Sequence, residues 1–365
     1  MANGKWLLLA PSLIDLLVSQ AAGGAGGLVV LAGFKPVAGR REAAWVGSIP
    51  TRLRQKTVCS LQKTVGSRQY AVGSGSYTRN EGLMAQTKIA CVQMDVAIGD
   101  VNPNREKIIG RLRAAAEAGA QLAIFPECAL TGYCFESIEE ASPFAERIDG
   151  PSSDAFAEAC RDTGIHAVIG FIEKDGANYY NAAMVVGPRG VIGGYRKVHL
   201  PFLGVDRFLT PGDRPFEILE LPFGRIGVNI CYDASFPEAA RALKLLGAEL
   251  IILPTNWPTG AWRTAEFIIN ARACENHVNF AAVNRVGIER GWQFIGRSKV
   301  VDFNGDTIAE ASREDEEMLV VEIDLTEANK NKIVNVSGSY EIDRLADRRP
   351  EFYGPVTAST KSALA

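Results

Sequence analysis

The 365-residue chain has only three histidines, His166, His199 and His277, and neither a His-Glu-x-x-His sequence nor a Cys-x-x-Cys pair. A histidine-based metal site or a zinc knuckle therefore has little to be built from. The seven cysteines, Cys59, Cys91, Cys128, Cys134, Cys160, Cys231 and Cys274, are odd in number and widely spread. That pattern argues against a disulfide framework and for a reducing compartment. An uninterrupted apolar run of the roughly 20 residues that span a bilayer is also lacking. The most apolar stretch, "MANGKWLLLAPSLIDLLVSQAAGGAGGLVVLAGF", is broken by Asp15, Gln20 and the glycines between 23 and 27. A large charge of one sign is missing too: 39 Lys and Arg stand against 42 Asp and Glu, for a net charge of -3. Nothing in that balance suggests nucleic acid or an anionic membrane as the main partner. What is present is 47% hydrophobic and 22% charged residues, enough for a sizeable core in one large domain or two ordinary ones.

The charge is unevenly placed. Residues 1–83 carry +7 and residues 84–365 carry -10. The first segment has three readings. It is a start assigned too early, because Met84 stands just before the strand-like "TKIACVQM"; or a targeting segment; or an extra ordered module. Lys5 followed by Trp6–Val18 resembles a secretory signal, and the Arg- and Ser-rich stretch to Asn80 resembles an organellar transit peptide. The expected division is a poorly packed extension over 1–83 and one catalytic-type domain over 84–365. The expected location is cytoplasmic, or organellar or exported if the leader is a true address.

From Thr87 the pattern becomes regular. Short β-branched runs predict strands at Lys88–Gln93, Gln121–Phe125, His166–Glu173, Asn178–Gly187, Val191–Tyr195, Arg225–Ile230, Glu249–Leu253, Val278–Val283, Ser298–Asp302 and Met318–Ile323. Helical periodicity marks Asn104–Ala118, Ser153–Thr163, Pro237–Leu246 and Thr264–His277. "GPRG" at 187–190 reads as a hairpin turn. Helices between strands mean a layered α/β fold rather than a helical bundle. No short repeat or low-complexity tract follows residue 84.

Fully apolar strands flanked by helices are covered on both faces, and ligands in such folds gather outside the strands' carboxyl ends. Three reactive groups emerge there: Glu127 in "FPECALTGY", Lys197 in "YRKVHLP" and Cys231 in "GVNICYDASFPEAAR". Each has a plainer reading when taken alone. Glu127 can cap loop amides, Lys197 beside Arg196 can be a solvated charge, and Cys231 can be a small buried hydrophobe.

Taken together and in order, the three segments resemble the signature segments of the nitrilase superfamily of carbon–nitrogen hydrolases. The resemblance runs from about Thr87 to Pro355 and includes "ILPTNWP", "ARACENHVNFAAVNRVG" and "DRRPEFYGP". It implies a four-layer αββα sandwich, a homodimer or higher homo-oligomer, and a Glu-Lys-Cys triad on Glu127, Lys197 and Cys231. The residue types suit that chemistry. A thiol of ordinary pKa near 8.5 needs a base or a cation before it attacks. A glutamate whose pKa burial has raised can serve as the base, and Lys197 with the Tyr232 backbone N–H can receive an oxyanion. No metal or organic cofactor is required by this cycle.

The chain departs from the family pattern at one point. Where many members carry a second glutamate eight or nine residues beyond the lysine, the nearest acid here is Asp206, which reads either as its replacement or as a turn or salt-bridge residue. His199 offers a papain-like Cys-His pair, against the alternative of a loop histidine bonded to backbone. "CYD" and "FPE" look more like amidases and N-carbamoyl-amine hydrolases than like true nitrilases. The expected activity is hydrolysis of a small linear amide or N-carbamoyl amine with release of ammonia. A nitrilase, an acyl- or amide-transfer enzyme and a non-catalytic binding relative remain as alternatives. Tyr133, Tyr232, Asn256 and Trp257 follow the motif strands and read either as pocket walls or as packing residues.

Overall fold

Ile89 and Cys91 face one way from the first strand and Ala90 and Val92 face the other, yet all four are buried. A strand with no solvent face must lie in an inner layer, and the layers follow from that alternation. A computed structural model of the chain describes residues 86–358. The reading of residues 1–83 as an extension lies outside this range.

In chain order the strands are β1 (Gln86–Gln93), β2 (Leu122–Ile124), β3 (His166–Asp175), β4 (Asn178–Gly187), β5 (Gly190–Arg196), β6 (Ile218–Leu221), β7 (Gly224–Val228), β8 (Leu250–Thr255) and β9 (Asn279–Asn284), followed by β10 (Ile288–Glu289), β11 (Trp292–Gln293), β12 (Lys299–Val301), β13 (Thr307–Glu310), β14 (Glu317–Asp324), β15 (Lys332–Val336) and β16 (Tyr340–Asp343). The principal helices are α1 (Val101–Glu117), α2 (Pro151–Thr163), α3 (Pro237–Leu246) and α4 (Ile269–Asn276). Two six-stranded sheets form, in the orders β14-β1-β2-β3-β4-β5 and β13-β12-β9-β8-β7-β6. Each is parallel through three central strands and antiparallel at both edges.

The two sheets pack face to face. Ile89, Ile124, Val168 and Val185 from the first share one core with Ile226, Val228, Leu250 and Ile252 from the second. The other face of the first sheet is covered by Ile108 and Leu112 of α1 and by Phe156 and Cys160 of α2. The second sheet is covered by Leu243 of α3 and by Ile269 and Ala273 of α4. The order of layers is therefore helix, sheet, sheet, helix, and the αββα sandwich expected from the resemblance is the fold.

Most predicted elements are present within a residue or two. The hairpin at 187–190 closes with Gly187 opposite Gly190, whose φ of +111° suits glycine. The helix expected over Thr264–His277 begins as a π-turn over Thr264–Ile268 and ends where His277 turns left-handed at φ +50°. β6, β10, β11, β13, β15 and β16 fall outside the expected strands; each has two to five residues, most of them half-buried or exposed.

Close backbone approach positions the loop after β2. Phe125 N–H donates to the Val168 carbonyl at 2.9 Å and Leu130 N–H to the Gly170 carbonyl at 3.1 Å, which lays residues 126–128 across Gly170. A Cβ at Gly170 would sit 2.4 Å from the Pro126 carbonyl oxygen and 2.7 Å from Glu127 Cα. Gly170→Ala is therefore expected to lower stability by about 2 kcal/mol, the usual cost of overpacking, and to displace Glu127. A denaturant midpoint unchanged from wild type would contradict this.

Candidate active site

Three chain segments end at one buried point. Glu127 leaves β2 through Pro126 and is followed by Cys128 in the left-handed region, φ +49°. Lys197 is the first residue after β5, its N–H bonded to the Asn181 carbonyl of β4 at 2.8 Å. Asp206 lies in a 3-10 turn, Gly204–Arg207. Lys197 Nζ donates to Glu127 Oε1 and to Asp206 Oδ2, each at 2.6 Å, and the side chains of all three residues are fully buried. Asp206 thus lies on the lysine, in a turn and away from the surface.

Two neutral groups complete the cluster. Asn181 Nδ2 donates to Glu127 Oε1 at 2.7 Å and to Asp206 Oδ1 at 2.8 Å. The Tyr133 hydroxyl donates to Asp206 Oδ2 at 2.8 Å, with the Leu203 carbonyl 3.1 Å away. Gly204 (φ +50°) makes room for that ring, since a Cβ there would fall 2.4 Å from Tyr133 Cε1. The Glu289 carboxylate accepts the N–H groups of Tyr133 and Cys134 at 2.9 and 2.6 Å, and Arg285 holds Glu289 in turn.

Cys231 opens the 3-10 turn Cys231–Ser235 just past β7 with φ +45°, a strained conformation for a residue with a Cβ. Its sulfur borders the Thr255 side chain and the Asn256 backbone N–H at the end of β8 and lies within electrostatic reach of Glu127 and Lys197. The structure therefore brings Glu127, Lys197, Asp206 and Cys231 to one place.

Charge is distributed unevenly among them. Burial raises the Glu127 carboxyl above its ordinary range; Lys197 pulls the other way and Asp206 adds to the rise. Burial works against the Lys197 ammonium, but Asp206 and Glu127 outweigh it and hold the cation well above its usual value. Burial pushes the Cys231 thiol up to about 12, Glu127 adds to the rise, and Lys197, Thr255 and the Asn256 N–H draw it back. The resting sulfur is a neutral thiol beside a carboxylate that binds a proton more readily than usual. Glu127 Oε2 and both polar side-chain atoms of Asn256 are buried without a hydrogen-bond partner. Unpaired buried polar atoms are costly and few in folded proteins, and Thr255 Oγ1, beside the Cys231 sulfur, is another.

Tyr232 is half exposed, edge-on to Phe236 at 5.1 Å. Trp257 is 2% exposed, in the same apolar cluster as Cys231, its backbone N–H on Asn284 Oδ1 at 2.8 Å. His199 does not take a backbone partner through its ring: Nδ1 lies 2.6 Å from Asp233 Oδ1, and the ring stacks on Phe236 at 3.7 Å. A cleft of about 450 Å³ adjoins the cluster's outer loops, lined by Cys134, Phe202, Gly204, Arg207 and Trp292 among others. A second, of about 370 Å³, opens by His166 and Gly187 and includes none of the cluster.

Sequence reasoning missed Asn181 and Asp233. Asp233, two residues past Cys231, accepts from Ile230 N–H at 2.9 Å, from the Tyr195 hydroxyl at 2.8 Å and from His199 N–H at 3.1 Å. Tyr195 and His199 flank Lys197 by two residues on either side, so one buried carboxylate ties the lysine segment to the cysteine turn. The only hint in the sequence was an acid inside an otherwise apolar motif. Asp233→Ala leaves one buried and two partly buried donors without their acceptor and is expected to cost roughly 3 kcal/mol, against about 1 kcal/mol for Tyr195→Phe. Equal denaturant midpoints for the two variants would show that Asp233 is no clamp.

Comparison with known proteins agrees with the fold. The family model for carbon–nitrogen hydrolases matches residues 88–332. The chain is 40% identical over 267 residues to a nitrilase of Pyrococcus abyssi, covering 73% of this chain and 98% of that protein. It is 36% identical over 276 residues to an (R)-stereoselective amidase of Pseudomonas sp., covering 74% and 94% respectively. A mutant of the Nesterenkonia AN1 amidase from the nitrilase superfamily superposes with a TM-score of 0.62 at 26% identity, over 73% of this chain and 95% of that one.

Proposed function

The chain belongs to the carbon–nitrogen hydrolase family, and from that premise we propose that it hydrolyses a small linear amide or N-carbamoyl amine through a thioester on Cys231. The observation that carries the reading is the buried Lys197 ammonium held between Glu127 and Asp206, with a strained strand-end thiol in electrostatic reach.

The steps balance around one proton. Cys231 Sγ attacks the carbonyl carbon as its proton passes to Glu127. The carbonyl oxygen becomes an oxyanion received by Lys197 and the Tyr232 backbone N–H; losing one such donor typically costs about 3–4 kcal/mol of transition-state stabilisation. Glu127 returns the proton to the nitrogen, the C–N bond breaks, and ammonia or an amine leaves the thioester behind. Water then gives a proton to Glu127 as its oxygen attacks the thioester carbon. The C–S bond breaks, the acid departs and the proton returns to sulfur. Asp206 keeps Lys197 charged and aimed throughout. The unpartnered Asn256 side chain offers a donor and an acceptor that complement a primary amide or a urea.

The test is an ammonia-release screen over amides, carbamoyl amines and nitriles; nitriles are included because the relative in Pyrococcus abyssi is named for that activity. Cys231→Ala and Cys231→Ser are expected to abolish turnover and leave the denaturant midpoint close to wild type. Full activity in either variant ends the reading.

The pH dependence has a definite sign. Attack requires Glu127 to be unprotonated and Cys231 to carry its proton. Because burial raises Glu127, kcat/KM is expected to climb with pH through a limb above the ordinary glutamate value near 4.3. The thiol, pushed up to about 12, places any alkaline fall far above neutrality. The two values belong to the coupled pair rather than to single residues. An acidic limb at or below the ordinary glutamate value would contradict the assignment of Glu127 as base.

A further inference from the structure

Asn181 touches both carboxylates of the cluster through a single nitrogen. Its Nδ2 lies 2.7 Å from Glu127 Oε1 and 2.8 Å from Asp206 Oδ1, and the residue is fully buried. A primary amide nitrogen carries two hydrogens, so each carboxylate receives one. The amide oxygen points elsewhere, 3.7 Å from the Cys128 sulfur, whose thiol donates to it. Rotating the amide by half a turn would set its oxygen against two carboxylate oxygens and face its hydrogens to the thiol. The orientation is thus fixed from both ends.

The consequence lies in how the oxygens are shared. Lys197 and Asn181 both use Oε1 of Glu127, but they use different oxygens of Asp206. Oε1 therefore has two donors, and Oε2, buried as it is, has none. We propose that Asn181 is a positioning residue that shares its amide between Glu127 and Asp206 and so reserves Oε2 of Glu127 for the proton of the nucleophile. This rests on the reading of Glu127 as the base for Cys231.

The ionisable groups facing Glu127 are Lys197 from the end of β5, Asp206 from its 3-10 turn, Cys231 from the turn after β7, Cys128 beside it in sequence, and Tyr133. Lys197 is the one cation in this set. A hydrogen bond to a carboxylate favours its charged form, so removing the Asn181 donor lets Glu127 hold its proton to higher pH. Activity that needs Glu127 unprotonated is then lost at a higher pH than in wild type.

The experiment compares pH profiles of kcat/KM for wild type, Asn181→Leu and Cys128→Ala on a substrate found in the ammonia-release screen. It adds the pH dependence of Cys231 alkylation by iodoacetamide, located by mass spectrometry. Asn181→Leu, nearly isosteric but without a donor, is expected to move the acidic limb up by roughly one pH unit and to lower kcat about 10- to 100-fold with KM changed less than about 3-fold. The alkylation limb moves with it. Cys128→Ala, which frees the amide to rotate, shifts the limb the same way by less. A residue serving only to fold the protein would lower the denaturant midpoint and leave both limbs in place, and that result overturns the inference. If Asn181→Leu does not fold, Asn181→Ser and Cys128→Ala decide: limbs displaced upward in both support it, and wild-type limbs in both overturn it. Retained turnover in Cys231→Ala would instead remove the reading beneath it, so the two failures are distinct.

Discussion

One ammonium, sealed from water and shared by two carboxylates, is the constraint to which the rest of the molecule answers. Charges taken out of water lose several kcal/mol each in hydration, and only close, well-aimed partners compensate. Lys197 has two such partners at 2.6 Å, Glu127 and Asp206. Two carboxylates around one cation still leave an excess negative charge. Asn181 and Tyr133 offset part of it with N–H and O–H donors. Buried ion clusters are a poor route to stability, because apolar replacements often do as well or better. Their presence just past the ends of β2 and β5 therefore argues for chemistry.

Meeting that constraint shapes the loops. Arg196 and Lys197 are adjacent cations, and strand alternation sends them to different sites. Arg196 pairs with Glu173, Asp175 and Asp213, its ring-stacking partner being Tyr180 at 3.9 Å. Lys197 turns inward. The cysteine turn is then fastened to the same segment by Asp233, which bonds on both sides of the lysine. Glycines supply the clearance: Gly170 beneath the glutamate loop and Gly204 beneath the Tyr133 ring. A site drawn from segments spread between residues 127 and 233 is held by short contacts at each junction.

How much of this the sequence reveals depends on how local each signal is. The apolar runs of β3, β4 and β8 announce themselves because most of their residues are buried on both faces; Glu127 and Cys231 follow the buried strands β2 and β7, whereas Lys197 follows β5, a half-exposed edge strand. Asp206 is legible from its distance to the lysine, although only the fold shows its carboxylate on Nζ. Asn181 is hidden for a definite reason. Counting back evenly from the turn at 187–190, which pairs Val186 with Val191, would set Asn181 opposite Arg196. The register shifts by one between Val185 and Val186, so that Val185 faces Gly193 and Ala182 faces Arg196. That shift brings Asn181 level with Lys197. A bulge of this kind leaves no periodic trace, and Asn in a strand otherwise reads as a weak strand former. Trp257 stands next to the site in sequence, and only the fold shows it buried in the same apolar cluster as Cys231.

The electrostatics of the cluster narrow the way a thiol could work here. Many reactive cysteines are resting thiolates, stabilised by a cation or a helix terminus. Cys231 has a cation nearby, but that cation is already shared by two carboxylates, and burial with the Glu127 charge leaves the thiol pushed up to about 12. A resting thiolate would put a third negative charge against one ammonium. On the proposed reading the sulfur therefore loses its proton only as it bonds to carbon, when the negative charge moves out to the oxyanion and nearer to donors able to receive it. The receiver of that proton must be ready to bind it, and Glu127 is the carboxylate whose affinity for a proton burial has increased and whose second oxygen is left without a donor. The pair then carries one proton before, during and after the bond forms, and the buried charge never exceeds what Lys197, Asn181 and Tyr133 already balance.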